Sequence, residues 1–163
     1  MKKLTLLLAA AGFISVQAQT VTTIEMNGSK YEVCDMTGKD KITWGGYSQI
    51  GASASDNSNG AKNTIAIVSA VGENKDRDGK PYAAKQCNNL EIADKNDWYL
   101  PSLTEMQSIY GNNQLVKLPE GNTYWTSTEA SGTQAQTIYF YNGTTYQVAK
   151  VDQAHYVCLR KLN

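Results

Sequence analysis

The stretch Asp97-Trp98-Tyr99-Leu100-Pro101-Ser102-Leu103-Thr104-Glu105 constrains this chain more than any other. A strand-like Trp-x-Leu runs straight into a proline. Proline has no N–H to give a ladder, so the strand must end at Leu100. Ser102 then stands where a helix N-cap belongs, with Glu105 three residues on. Ser-x-x-Glu is the capping-box spacing, in which each side chain accepts from the other residue's backbone N–H. Asp97, Trp98, Leu100, Pro101, Ser102 and Glu105 are therefore expected to be structural. Trp98 and Leu100 should face the core, Pro101 should end the strand, and Ser102 with Glu105 should start the helix.

On either side of this junction the pattern alternates between hairpins, short helices and loops. Asn27-Gly28 separates two runs with apolar residues, and Asn142-Gly143 does the same later in the chain. Both residues of such a pair accept positive φ, so each site predicts a hairpin. The Asn-Gly-Ser and Asn-Gly-Thr triplets there also match a glycosylation pattern, but the turn role explains them better. With a two-residue turn at 142–143, Tyr139 would lie opposite Tyr146. Residues 35–64 are rich in glycine and small polar residues and show no period, which predicts a long irregular segment pinned by Trp44. Asn63 could cap a helix over Thr64–Ala70 with Ile65 and Val68 inward, although the same residues would suit a strand. Tyr82–Ala93 and Leu103–Tyr110 read as helices. Gly111 suits the stop of the second, and Leu103, Met106 and Tyr110 its inner face. From Thr123 the sequence turns to strand formers and closes on Tyr156-Val157-Cys158-Leu159-Arg160.

The compartment is indicated by the N-terminus. Met1-Lys2-Lys3, an apolar run from Leu4 to Val16 and a small-residue site ending at Ala18 have the form of a secretory signal peptide. The apolar run is shorter than the roughly 20 residues a membrane span needs. The expected organisation is therefore a leader over 1–18, an N-terminal hairpin and irregular segment over 19–62, and residues 63–163 forming one compact unit with it. The full chain carries 15 basic and 15 acidic residues, and loss of Lys2 and Lys3 tips that balance slightly acidic. Such a balance lacks the basic excess of an electrostatic nucleic-acid binder. Three cysteines remain after the leader: Cys34, Cys87 and Cys158. In an oxidising compartment two of them should pair. The sequence allows three pairings. Closing the loop between Cys87 and Cys158 would be worth on the order of 4 kcal/mol in the chain-entropy account.

The motifs give little support to catalysis. His155 is the sole histidine. It lies three residues from Cys158, a spacing that on a strand points the two side chains to opposite faces. Nucleophile-elbow, zinc-protease and phosphate-loop patterns are missing from the sequence. Asn74-Lys75-Asp76-Arg77-Asp78-Gly79 has the first half of a calcium loop around Asp76 and Asp78. Lys85 occupies the position of the closing acid, so a solvated turn is the expected reading and no metal or cofactor is assigned. A glycosidase-like pair of acids is not readable from spacing, and Glu129 and Asp97 are the carboxylates without an evident role.

Several elements together resemble a known family. They are Asn63-Thr64, Ala83-Ala84 with Cys87, Asp97-Trp98-Tyr99-Leu100-Pro101-Ser102 with Glu105, Tyr124-Trp125-Thr126-Ser127-Thr128, and Cys158-Leu159-Arg160. In this order, over Asn63 to Lys161, they resemble the Legionella collagen-like protein C-terminal domain family. Tyr99 stands where that family usually has Arg, Met106 where it has Leu, and Thr126 where it has Ser. The resemblance implies an α+β, C-type-lectin-like fold related to formylglycine-generating enzymes, with two short helices packed on antiparallel hairpins between long loops. It also implies a disulfide from a helix to the last strand, here Cys87–Cys158, with Cys34 left over. The cysteine-dependent chemistry of the related enzymes does not carry over, because two of the three cysteines are then structural. Some members of the family are linked to glycosaminoglycan binding and adhesion.

Recognition is thus the expected function, with a glycan or surface protein as partner. An envelope structural protein, or a hydrolase with a scattered acid pair, are the alternatives. Ten tyrosines against two phenylalanines offer flat rings with polar tips, suited to sugar faces and protein surfaces. The same tyrosines also suit strand pairing. Trp125, Glu129, Tyr139, Tyr141 and Tyr146 are the candidate ligand-binding residues. The loop over 45–62 and the hairpin around Asn142 are the expected binding surface.

Overall fold

The computed structural model describes residues 19–46, 49–73 and 81–162. The leader and the Asn74–Gly79 segment, with its Asp76 and Asp78, lie outside the described residues. The chain forms an α+β domain with two three-stranded antiparallel sheets. β1 (Val21–Met26) and β2 (Ser29–Asp35) make the first hairpin. Asn27 and Gly28 take φ of 50° and 73° at its turn, the left-handed pair that the sequence predicts. β2 pairs in turn with the closing strand β6 (Val157–Lys161). The second sheet holds β3 (Thr123–Glu129), β4 (Gln134–Tyr139) and β5 (Thr144–Ala149) in that order. Trp98–Leu100 is less than a strand. Tyr99 alone bridges Leu159 on the free edge of β6, exchanging two backbone hydrogen bonds of 2.8 Å. Just before β6, His155 accepts from the Trp125 N–H at 2.9 Å and donates to Thr123 O at 3.1 Å, which joins the two sheets.

These central segments lie between two cores. Cys34, Trp98, Leu100, Trp125, Tyr156 and Cys158 face one apolar cluster. Their chain neighbours Val33, Tyr99, Tyr124, Val157 and Leu159 face the other. Burial on both faces explains why Tyr156–Leu159 reads as a continuous apolar run and not as an alternation. Cys87, on the inner face of α2 (Ala83–Asn88), is bonded to Cys158 of β6, as the family resemblance implies. Cys34 is a free, buried thiol whose pKa is pushed up to about 12 by burial, with Asp35 adding repulsion.

The helices depart from expectation in detail. α1 (Gly60–Val71) starts earlier than predicted, capped by Asn59, whose side chain accepts from the Lys62 N–H at 2.9 Å. Asn63 is not a cap. It is buried inside α1, where its side-chain amide donates to Asp56 O at 2.6 Å and to Ser127 Oγ at 3.3 Å. The inner face of α1 is Ile67 and Val71, whereas Ile65 is 63% exposed. α2 ends at Asn88, five residues before the predicted Ala93, and Ala93 and Asp94 take positive φ in the turn that follows. α3 (Leu103–Gly111) includes Gly111, and Asn112 is its cap instead. One more short helix, α4 (Asn113–Val116), follows directly. Met106 and Ile109 form the buried face of α3, with Leu103 and Tyr110 half-buried beside them.

The second hairpin also shifts register. Tyr139 pairs with Thr144, and Tyr146 lies opposite Thr137. Phe140 is the cause: it leaves the ladder and buries to 1% exposure against Tyr124 and Tyr110, with ring centroids 4.5 and 5.4 Å away. A four-residue loop, 140–143, then replaces the two-residue turn. Gly143 closes it at φ 73°, donating to Tyr139 O at 2.8 Å. The Tyr110 ring lies so close to Gly143 that a Cβ there would come within 2.6 Å of it.

Candidate functional site

At the signature junction, the side chains of Asp97, Tyr99, Ser102 and Glu105 all find partners within the fold. Glu105 Oε2 accepts from the Ser102 N–H at 2.8 Å and from the Gly60 N–H at 3.0 Å, while Oε1 accepts from the Tyr99 hydroxyl at 2.9 Å. Ser102 Oγ accepts from the Glu105 N–H at 3.4 Å, completing the capping box. A single carboxylate therefore serves the first turns of both α1 and α3. Burial and the Glu105 carboxylate raise the Tyr99 pKa well above the usual tyrosine range. Asp97 is engaged by Arg160 through two contacts of 2.6 and 3.2 Å, and Glu32 by the same guanidinium at 2.8 Å. Hydrogen bonding to Arg160 holds the Asp97 carboxyl below its ordinary value. Asp97, Ser102 and Glu105 are thus held by contacts within the fold, Trp98 and Leu100 lie in the core, and Pro101 O accepts from the Ser127 N–H at 2.7 Å. The partner residues Gly60 and Arg160 could not be singled out from sequence spacing.

Gly60 has no room for a side chain. An added Cβ would lie 2.5 Å from Glu105 Oε2, 2.6 Å from Ser102 N and 2.7 Å from Leu100 O. Two of these are backbone atoms and cannot swing away. Gly60→Ala is expected to cost about 1–3 kcal/mol, the usual range for overpacking a tight core. A lowered urea midpoint at unchanged m-value would show it.

Two of the five candidate ligand-binding residues are internal. Trp125 is fully buried, and its Nε1–H donates to Ile42 O at 2.8 Å. Its aromatic surface belongs to the core, the usual fate of a large ring in a central strand. Glu129 is 5% exposed and ion-paired with the buried ammonium of Lys150. Its carboxylate also accepts the N–H groups of Ile50 and Gly51. Lys150 in turn donates to Gly132 O at 3.1 Å and lies 4.7 Å above the Trp44 ring centroid. Glu129 therefore anchors the 49–54 segment and offers nothing to an outside ligand. Sequence pattern missed this ion pair because Lys150 follows a strand at its surface end and reads as an ordinary solvated lysine.

The tyrosines fare differently. Tyr141 is 70% exposed and Tyr146 48% exposed, and Tyr139 is half-buried. The rings of Tyr139 and Tyr141 stand 6.0 Å apart. Tyr146 sits apart from them on the outer strand β5. Beside Tyr141 a groove of about 540 Å³ opens between the α3–α4 corner and the 140–143 loop. Tyr110, Gln114, Leu115 and Glu120 line it with Tyr141. Leu115 is 61% exposed there. This groove was not legible in sequence, because it depends on the four-residue loop and on α4. Among the described residues of the 45–62 loop, Gln49 lies away from the hairpin tip. Gln49 lies near Gly132, in the turn before β4, while the tip follows the end of β4. The two are separated by the length of a six-residue strand, roughly 17 Å.

The chemistry expected of a catalytic centre does not assemble around the cysteines or His155. Cys158 is spent in the disulfide. Among the described residues no group of three or more His, Cys, Asp or Glu is placed to hold a metal ion. His155 Nδ1 is buried without a hydrogen-bond partner, and the ring tilts against Tyr124 at 5.9 Å.

Residues 33–160 match the Lcl C-terminal domain. The chain belongs to the Lcl C-terminal domain family. The match begins inside β2, thirty residues before the stretch that carries the sequence resemblance, so the first hairpin's inner strand is part of the family unit. Membership in the Lcl C-terminal domain family points to a non-catalytic surface or recognition role. No curated protein matches the chain. Among the described residues no helix is long and apolar enough to cross a membrane.

His155 gives this Lcl C-terminal domain a pH dependence. Burial, helped by repulsion from Lys41 and partly opposed by Asp35, holds its pKa below the ordinary 6.5. The unfolded chain then takes up a proton that the folded chain refuses. Stability is full above pH 6.5 and falls as the pH drops from there toward the folded pKa, by at most about 1.4 kcal/mol per pH unit. Urea midpoints measured from pH 7 to pH 5 should fall for the wild type, and His155→Gln should flatten that segment of the curve.

Proposed function

We propose that this chain is an exported, non-enzymatic recognition module that binds a glycan or a protein surface through its C-terminal hairpin. The observation that carries this reading is the outward display of Tyr141, with the Tyr139 ring beside it, and of Tyr146 on the outer strand β5. Exposed tyrosines on a rigid hairpin present apolar area and a polar tip at little cost in lost side-chain freedom. The carboxylates that a hydrolase reading would call on, Asp97 and Glu129, are engaged in ion pairs that hold the fold. The leader-like N-terminus and the disulfide support action outside the cytoplasm. The lectin-like arrangement expected from the family resemblance is in keeping with a binding role, although fold alone does not determine function.

The test is a glycan array and a surface-protein pull-down run with the wild type and with Tyr139→Ala/Tyr141→Ala/Tyr146→Ala. Binding that disappears in the variant, with its urea midpoint retained, supports recognition by the hairpin. Equal binding by both proteins places recognition elsewhere. Silence on both assays with the wild type removes the proposal.

A further inference from the structure

We infer that the groove between the α3–α4 corner and the 140–143 loop is a binding site for an uncharged saccharide. This rests on the recognition reading above and gives it a location and a ligand class. Tyr141 provides an exposed ring at one wall, and Leu115 an exposed apolar side chain on the same groove. The apolar C–H face of a pyranose fits between surfaces of this kind. Gln114, Glu120 and the hydroxyls of Tyr110 and Tyr141 make no hydrogen bond to other described residues, so their capacity is unspent. An amide offers both donors and an acceptor, and a carboxylate accepts from neighbouring hydroxyls. The lining contains one carboxylate and neither lysine nor arginine, which disfavours a sulfated or uronic-acid chain at this place. The floor is rigid: Phe140 is buried beneath, and Tyr110 is wedged against Gly143.

The experiment compares neutral oligosaccharides with sulfated and uronic-acid glycans, using the wild type, Tyr141→Ala, Glu120→Gln, Tyr146→Ala and, as control, Ile65→Ala on the exposed side of α1. The expected result is binding of neutral glycans that is insensitive to salt. It should weaken about tenfold or more in Tyr141→Ala, drop in Glu120→Gln, and persist in Ile65→Ala. Binding of anionic glycans that fades with salt and survives Tyr141→Ala would overturn this site while leaving a recognition role standing. Neutral-glycan binding lost only in Tyr146→Ala would move the site to the face of β5. Absence of glycan binding together with an empty pull-down would remove both.

A separate observation concerns the third cysteine. The β2–β6 register sets Cys34 directly opposite Cys158, and both face the same core as Cys87. Directly opposed residues of an antiparallel pair have Cα atoms about 4.5–5.5 Å apart, inside the range that a disulfide accepts. We propose that Cys34 is an alternative partner of Cys158 during oxidative folding. The Cys34 thiolate attacks Sγ of Cys158, the Cys87–Cys158 bond breaks, and Cys87 leaves as thiolate and takes up a proton, with no net oxidation. Burial suppresses the Cys34 thiolate in the finished fold, so exchange belongs to opened states. Cys87→Ser, oxidised with a glutathione disulfide buffer, should yield a Cys34–Cys158 peptide on non-reducing mapping. The same peptide should appear transiently when reduced wild-type chains are oxidised and quenched with acid. Its absence from both experiments overturns the proposal.

Discussion

Lys150→Met is expected to lower the unfolding free energy by about 3–5 kcal/mol, the range for breaking a buried ion pair from one side. The ammonium is fully buried and neutralises Glu129, whose side chain is 2% exposed. Without it, the carboxylate keeps only the N–H groups of Ile50 and Gly51 as partners. Glu129→Gln alone should also destabilise, because it removes the carboxylate that pairs with the buried ammonium. The double variant should cost less than the sum of the two, since each replacement removes the group that the other strands. A double-mutant cycle from urea denaturation reads that coupling directly. Strictly additive losses would show that the pair does not act as a unit. The 49–54 segment should also become more accessible to protease in Lys150→Met, because its anchor is then a buried, uncompensated charge.

Cys158→Ser should be the next most damaging change, lowering stability by about 2–5 kcal/mol. It removes the bond between α2 and β6, which spans 71 residues of chain. It also removes the one sulfur that either remaining cysteine faces across the sheet or helix interface. Cys87→Ser should be milder, because Cys34 remains opposite Cys158. Thermal unfolding of both variants under oxidising conditions gives the comparison. Equal losses in the two would show that Cys34 contributes nothing in the absence of Cys87.

Much of this fold was legible in the chain because local chemistry decided it. Asn27-Gly28 sets its own turn, and Ser102 with Glu105 sets its own helix start. What eluded sequence reading depends on distant partners. Nothing near Gly60 in sequence reveals that Glu105, Ser102 and Leu100 crowd it. Asn142-Gly143 signalled a turn, but the burial of Phe140 chose its length and moved Tyr146 away from Tyr139. Trp125 and Glu129 were sensible ligand candidates by type. The first is claimed by a core on a strand buried at both faces, and the second by a lysine 21 residues away. The groove at Tyr141 required α4, which four residues of unremarkable pattern did not announce.

The two-core arrangement has a consequence for how β6 finds its place. On a strand with one wet face, a slip by one residue is self-punishing, because it turns apolar side chains to water. β6 lacks that safeguard: Val157, Cys158 and Leu159 would trade one dry environment for another. Alignment must then be enforced by groups that tolerate only one partner. The sulfur of Cys158 must meet Cys87, and two residues on, the Arg160 guanidinium must meet Asp97 and Glu32 together. These contacts work as a vernier that reads position along a strand whose hydrophobicity carries no scale. Substitutions at Arg160 should therefore raise the population of misaligned chains more than their effect on native stability alone would suggest.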